Sequence, residues 1–544
     1  MRVSGSWTSR NCRSRGSVSE VTLARTRRIV QGLFLALFLF LFIQTESKGT
    51  DELGWPVRLF LDVDPLIVLT TFLASRRAEG LFWPALILAG LTALLGRFFC
   101  GWVCPLGTLN NLAGGLRTTR PNPPGAGWFR VKYYVLLGLL GMSLFGVQPA
   151  GILDPISLTI RSFSLALYPA ASFAATSLFD AIYRLNLPLV TPASEAVYGL
   201  LQKTVLPFRQ PWSAQGVFIG LTFLGLLALN LVQRRFWCRF LCPLGALLGL
   251  LSRRSVLRRS VSEECDSCGA CVGVCQADAV PAGKDRWRAS ECLLCSNCDD
   301  ACPKNAVSFG LMKGRPRGGL DLGRRKVMAS VFAGTFAVPL LRISPLARPR
   351  MSDAKLIRPP GALAETTFLQ SCVRCGECMK VCITGGLQPT LLEAGLEGLW
   401  TPVLVPRIGY CEFGCTLCGQ VCPTGAIRKL PLERKQQERL GHAAIDKGRC
   451  LPFAHATPCI VCEETCPTPK KAIWLEQVAV KDRNGRPIRL QQPHVDLAAC
   501  IGCGACEKHC PVVGQPAIYV TSAGESREEE HQILLQPPPV APAK

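Results

Sequence analysis

Apolar and polar positions divide the chain near residue 255. Before that point long apolar runs recur, at 29–43, 81–99, 131–147 and 216–232. Each approaches the roughly 20 residues that cross a hydrocarbon core as a helix, so four spanning helices are expected. The first run is apolar apart from Gln31 and Gly32. No small-x-small cleavage site follows at once and more spans come later, which favours a spanning helix over a cleaved signal. The stretch 154–213 mixes an apolar patch at 165–175 with Arg161, Asp180 and Arg184. Interfacial helices are expected there, with a helical hairpin as the alternative. Beyond 255 the apolar runs give way to clustered cysteines. The expected fold class is a multi-pass α-helical membrane domain followed by α+β polyferredoxin domains of the bacterial type. The expected divisions are a basic arm (1–28), a four-span domain (29–255), a two-cluster ferredoxin domain (256–312), a signal or anchor helix (313–345), a four-cluster ferredoxin domain (346–520) and a polar, Pro-rich tail (521–544).

Charge orients the spans. The chain carries 61 Lys and Arg against 38 Asp and Glu, a net +23. Residues 1–28 hold seven Arg and one Glu, 100–132 hold four bases and no acid, and 233–262 hold seven Arg and no acid. The loop 46–80 has six acids against four bases. The positive-inside rule then gives both ends of the four-span domain a cytoplasmic location in a bacterial inner membrane. A basic protein can also bind nucleic acid, but here the charge sits beside apolar spans, so no nucleic-acid partner is expected and the lipid bilayer is.

The membrane half repeats itself. "LDVDPL" (Leu61–Leu66) precedes a span ending in "RFFCGWVCPLGTL" (Arg97–Leu109), and "ILDPISL" (Ile152–Leu158) precedes one ending in "RRFWCRFLCPLGAL" (Arg234–Leu247). Each unit is expected to carry its Asp-Pro on the outer side and its C-x-x-x-C-P on the inner side. Cys100, Cys104, Cys238 and Cys242 either pack as small hydrophobes or form a further redox or metal site, a seventh centre or a thiol/disulfide pair. Asp64 and Asp154 are either proton acceptors or quinol ligands, or turn initiators and helix N-caps. All five histidines lie beyond residue 440 and no C-x-x-C-H occurs, so no haem is expected in the membrane half.

The 29 cysteines sort into six runs of four, the two pairs above, and Cys12 alone. Cys265, Cys268, Cys271 and Cys275 have the spacing C-x2-C-x2-C-x3-C. Cys292, Cys295, Cys298 and Cys302 repeat it before Pro303, and Cys372, Cys375, Cys378 and Cys382 before Ile383. Cys411, Cys415, Cys418 and Cys422 widen the first gap to three, and Cys450, Cys459, Cys462 and Cys466 widen it to eight. Cys500, Cys503, Cys506 and Cys510 return to the standard spacing. This is the bacterial ferredoxin run: three thiolates wrap one cubane and the fourth reaches the neighbouring cluster. Glycines inside several runs (Gly269, Gly376, Gly419, Gly504) suit a backbone turning tightly over sulfur. Zinc knuckles are the alternative, but six runs of four, four of them with "CP" endings, fit six [4Fe–4S] clusters better. In the first two runs, Cys265, Cys268, Cys271 and Cys302 would hold one cluster and Cys292, Cys295, Cys298 and Cys275 the other. For the last four runs, pairing of neighbours and nested pairing of first with last are both open.

A twin arginine, Arg324–Arg325, precedes an apolar run. That is the layout of a signal for export of a folded protein, and it would put the last 200 residues outside. Residues 29–310 resemble the NapH-type quinol dehydrogenase membrane subunit, through the four spans, the two "CPLG" motifs at 104–107 and 242–245 and the two-cluster domain; NosR-like regulators share that module. Residues 320–520 resemble the NapG-type, MauM-like ferredoxin, through the twin arginine, "RPPGALAETTFLQSCVRCGECMKVC" (Arg358–Cys382), "GYCEFGCTLCGQVCPTGAI" (Gly409–Ile427) and "TPCIVCEETCP" (Thr457–Pro467). The chain resembles a fusion of the two, departing from the pattern at Gln276 and Ile383, where Pro is usual.

The resemblance implies electron transfer from the membrane quinone pool, through iron–sulfur clusters, to a periplasmic reductase or cytochrome; as an enzyme it would be a quinol dehydrogenase component. An assembly or regulatory protein supplying electrons elsewhere is the alternative. Ligand arithmetic sets a first test. Purified protein should carry about 24 iron atoms, four per cubane. A value near 28 would add a centre at the C-x-x-x-C pairs, and zinc alone would end the iron–sulfur reading.

Overall fold

The computed structural model describes residues 23–47, 49–77, 83–115, 128–186, 188, 190–207, 209–280, 287–311, 322–342, 354–481 and 485–528. Cys12, most of the basic arm and the end of the tail lie outside these residues. The chain forms two compact units. One comprises 1–42, 59–159 and 221–337; the other comprises 43–58, 160–220 and 338–544. The division expected near residue 255 is therefore not a unit boundary, because the first ferredoxin segment shares its unit with the apolar helices.

The apolar runs form helices, but not of the expected lengths. Among the described residues two helices are long and apolar enough to cross a membrane: Leu23–Gln44 and Pro155–Leu185. The first begins six residues before the predicted run because Arg27 joins it, buried, with its Nη2 donating to Asn297 Oδ1 at 3.2 Å. The other predicted spans are shorter, at Trp83–Leu95, Val131–Leu144 and Gly216–Ala228. Backbone breakers set their ends: Gly96, at φ +97°, stops the helix that the apolar run would continue. Residues 65–75, expected within an outer loop, form a buried helix, Pro65–Ser75, packed on Val131–Leu144 and Pro243–Leu251. Residues 154–213 contain a helical hairpin. Pro155–Leu185 is continuous, with a π-turn at Phe163–Leu167, and its second half packs on Val190–Thr204.

Apolar side chains stand exposed along several helices. Leu33, Leu86, Ile87, Val217, Leu221, Phe332 and Phe336 are all more than half exposed. Polar groups lie inside the same unit. Lys132 Nζ donates to Glu291 Oε2 at 2.5 Å, Tyr133 Oη to Glu291 Oε1 at 2.6 Å and Arg97 Nη1 to Ser290 O at 2.9 Å. A charged residue this deeply buried needs such partners.

The clustered cysteines sit on short helical turns bracketed by antiparallel strand pairs. Leu257–Val261 pairs with Val307–Leu311 around the first two runs. His442–Ile445 pairs with Ile518–Thr521 around the last two. A hairpin of Ile473–Lys481 and Pro487–Val495 lies between runs five and six. In the middle pair, Arg358 donates twice to Glu365, at 3.1 and 2.6 Å, and Arg527 adds a third bond at 2.9 Å. Burial alone would raise the Glu365 carboxyl, but the two guanidiniums outweigh it and hold it below its ordinary range.

The twin-arginine segment forms the helix Arg324–Arg342. It meets Val131–Leu144 through glycine: a Cβ on Gly334 would lie 2.3 Å from Gly138 O, and one on Gly141 would lie 3.2 Å from Val331 O. Such close backbone approach is how small residues join helices in lipid. Gly334→Leu should therefore lower the thermal midpoint of detergent-solubilised protein, by roughly 1–3 kcal/mol of overpacking or more. Gly225→Leu, which faces open space, should leave it unchanged; equal effects would remove the helix contact from the explanation.

Candidate metal centres

The runs place their cysteines by local backbone rules. After the second cysteine of runs one, three and six stand Gly269, Gly376 and Gly504, with φ between +78° and +87°, a region that costs glycine nothing. Ser296 takes the same left-handed conformation in run two. Gly419 differs. It lies inside the short helix Leu417–Gln420, and its missing side chain admits Arg428 O, which a Cβ would approach to 2.4 Å.

Five cavities, each of 340 to 420 Å³, are lined by four cysteines apiece. Cys292, Cys295 and Cys298 share theirs with Cys275. Cys372, Cys375 and Cys378 share theirs with Cys422, and Cys411, Cys415 and Cys418 share theirs with Cys382. Cys450, Cys459 and Cys462 surround a cavity with Cys510, and Cys500, Cys503 and Cys506 one with Cys466. Each tetrad takes three cysteines from one run and the last from its neighbour. Of the two arrangements open for the last four runs, the structure has neighbouring runs paired. Cys265, Cys268, Cys271 and Cys302 remain nearer the surface, with Cys268 exposed and the others half-buried.

The tetrads fit a cluster of iron and sulfide. All four donors are thiols, and they line a cavity. Backbone donors reach the crossing cysteines: Ala279 N–H to Cys275 Sγ at 3.2 Å, Ala306 to Cys302 at 3.3 Å, Ile427 to Cys422 at 3.4 Å and Ala517 to Cys510 at 3.4 Å. Hydrogen bonds of this kind tune cluster potentials. Burial pushes the thiols of Cys375, Cys378, Cys418 and Cys506 well up, so iron must displace their protons on binding.

Comparison with known proteins gives the same chemistry. Two 4Fe-4S binding domain models match, one at 79–124 and 215–262 and one at 491–512. The methylamine utilization ferredoxin-type protein MauM of Methylorubrum extorquens is 43% identical over 174 residues, 31% of this chain and 74% of that protein. The ferredoxin-type protein NapG of Escherichia coli is 37% identical over 202 residues, 36% of this chain and 85% of that protein. The chain belongs to the NapG/MauM family of ferredoxin-type proteins. It extends well past that homology, since most of its length lies outside either match. The E. coli protein YccM, named as a candidate electron transport protein, is 29% identical over 275 residues, 48% of this chain and 64% of that protein. No solved structure matches. As a NapG/MauM relative the chain is an iron–sulfur electron-transfer protein.

The pairs outside the runs also come together. Cys100, Cys104, Cys238 and Cys242 lie near enough for each thiol to feel its neighbours' charge. The repeat is structural: Cys104 N–H bonds to Phe99 O and Cys242 N–H to Trp237 O, each spanning five residues. Asp64 and Asp154 are buried N-caps of Pro65–Ser75 and Pro155–Ser162, as the turn-and-cap reading expected.

Sequence reading missed a set of residues around these cysteines. Arg97 Nη2 lies 3.9 Å from Cys100 Sγ, Arg235 Nη1 donates to Cys100 O at 3.2 Å, and Arg235 Nε donates to Gln276 Oε1 at 2.9 Å. The signal available was the Arg three residues before the first Cys in both repeats. Arg161, taken as a mark of an interfacial helix, is fully buried. It donates to Arg374 O at 3.0 Å and stacks over Trp400 at 4.5 Å, beside the third run.

The tetrads make a direct prediction about pairing. Cys382→Ser combined with Cys411→Ser touches one tetrad and should remove about four iron atoms. Cys382→Ser combined with Cys372→Ser touches two and should remove about eight. Equal losses of about eight iron atoms from both, by iron analysis of purified protein, would restore the nested arrangement.

Proposed function

We propose that the chain is a membrane-bound conduit that takes electrons from quinol and passes them through six [4Fe–4S] clusters to a periplasmic acceptor. The observation that carries this reading is the set of interlocked cysteine tetrads. The ligands are the 24 cysteines of the six runs, with Cys265, Cys268, Cys271 and Cys302 as the sixth tetrad. A bound cluster supplies a one-electron store.

The chain's own residues set the conditions for that store. Three cysteines hold each cavity and the crossing cysteine ties it to its neighbour. Ala279, Ala306, Ile427 and Ala517 direct N–H groups at crossing sulfurs, and Arg259 donates to Cys271 Sγ at 3.4 Å. Both favour the more negative state of the site. Apolar walls such as Val381, Leu387 and Leu404 in one cavity, and Ala279 and Trp287 in another, keep water away.

The membrane part of the proposal rests on exposed apolar side chains along Leu23–Gln44, Trp83–Leu95, Gly216–Ala228 and Arg324–Arg342, which water would penalise and lipid would not. Resemblance to NapH-type subunits supports quinol as donor, with the first cluster pair in the cytoplasm. The twin arginine supports an outer location for the last four clusters. The names of the relatives, both ferredoxin-type proteins, suit electron transfer to a redox partner.

The test uses the full chain in detergent or proteoliposomes. Menaquinol should bleach the visible iron–sulfur absorbance at a rate compatible with turnover. Reduction by dithionite but not by menaquinol would remove quinol from the reading. A phosphatase reporter fused near residue 440 should be active in the periplasm; activity only of a cytoplasmic reporter there would overturn the sidedness.

A further inference from the structure

Four helices in the apolar unit start in the same way. Asp64–Pro65, Cys104–Pro105, Asp154–Pro155 and Cys242–Pro243 each place a buried cap residue before a proline that opens a helix. Proline suits that first position because its missing N–H would have no partner there. Each cap accepts from the turn it opens. Asp64 Oδ1 takes Leu66 N–H at 2.8 Å, and Asp154 Oδ2 takes Ile156 and Ser157 N–H at 3.0 and 2.7 Å. Cys242 Sγ takes Gly245 N–H at 3.2 Å, and Cys104 Sγ takes that of Gly107.

The two aspartates go further than capping. Both are fully buried, and each uses one oxygen for its helix. The other oxygens, Asp64 Oδ2 and Asp154 Oδ1, receive no donor from the chain. Pro65–Ser75, which Asp64 opens, packs on Ala150–Leu153, which runs into Asp154; the two unpaired oxygens thus share one buried region, where each carboxyl bears on the other. Two facing acceptors cannot bond without a hydrogen between them. Two adjacent ionised carboxylates, buried together, repel and lose their hydration. One proton removes both difficulties, and it belongs to the pair rather than to either residue.

We propose that Asp64 and Asp154, one from each half of the internal repeat, form a single proton-sharing dyad that accepts protons from quinol. The acceptor role rests on the quinol reading above; the shared proton does not. The balance is complete. Each quinol gives two electrons, which reduce two iron–sulfur centres, and two O–H protons. The singly protonated dyad takes one proton, passes it to water, and takes the second in the same way.

Infrared difference spectroscopy on the purified full-length protein tests the dyad. Asp→Asn keeps the capping oxygen, and its amide can donate to the remaining carboxylate in place of the proton. Wild type minus Asp64→Asn and wild type minus Asp154→Asn should each show loss of the same deuterium-sensitive carboxylic-acid band. The double variant should lose nothing more. Two distinct bands that add in the double variant, or no band lost in either, would overturn the shared proton. If one variant fails to assemble, the other still decides, since a separately protonated partner would keep its band. Rates test the acceptor role. Menaquinol should reduce the clusters of either variant at least tenfold more slowly, with dithionite reduction unchanged. A lost band with an unchanged menaquinol rate would refute proton transfer, whereas wild type inert to menaquinol would refute the quinol reading and leave the infrared result standing.

Discussion

A run of four cysteines with three-residue spacings cannot close around one cluster. The first three thiols fall on one short turn, and the fourth lies beyond it on a chain already leaving. That constraint shapes the six cysteine runs of this molecule. The fourth thiol must find a cavity built by another run, so runs become useful only in pairs. The strand pairings follow from it. Leu257–Val261 with Val307–Leu311, and His442–Ile445 with Ile518–Thr521, bring the two ends of a double run together. They draw the crossing cysteines of those runs toward their neighbours' cavities.

The same constraint explains which parts of the structure were legible in the sequence. Ligand identity was legible because spacing fixes which thiols share a turn. The partner of the crossing cysteine in the last four runs was not, because spacing says nothing about which cavity lies nearest in space. Helix existence was readable from apolar runs and helix length was not. An apolar run reports burial or lipid, whereas Gly96 and the prolines at 65, 105, 155 and 243 decide where the backbone stops. A buried arginine such as Arg161 reads in sequence as an interfacial charge, since its carbonyl and aromatic partners lie more than 200 residues away.

The two departures from the family pattern have different accounts. Gln276 stands where proline is usual after the first run. Its amide accepts from Arg235 Nε and donates to Asn111 Oδ1 at 3.0 Å. A proline there would leave the Arg235 Nε–H without that acceptor in a largely buried site, a loss on the order of 1–3 kcal/mol. The exchange therefore binds the turn after Cys275 to the C-x-x-x-C-P segments of the same unit. Ile383 simply replaces one apolar wall by another. It lines the cavity of Cys382, Cys411, Cys415 and Cys418 beside Pro359 and Pro360, where a proline at 383 would serve as well.

The internal repeat shows one backbone device put to two chemical uses. A proline-opened helix presents unpaired N–H groups and a positive dipole end to whatever side chain caps it. At 104 and 242 that side chain is a thiol; at 64 and 154 it is a carboxyl. A helix N-terminus favours negative charge, and four of them in one unit favour it at four caps. The carboxyls cannot both accept that invitation, since they face each other. The other cysteine of each pair, Cys100 or Cys238, lies beside an arginine, Arg97 or Arg235. The same proline-opened turn therefore ends on a thiol where guanidinium groups gather and on a carboxyl where two buried caps adjoin.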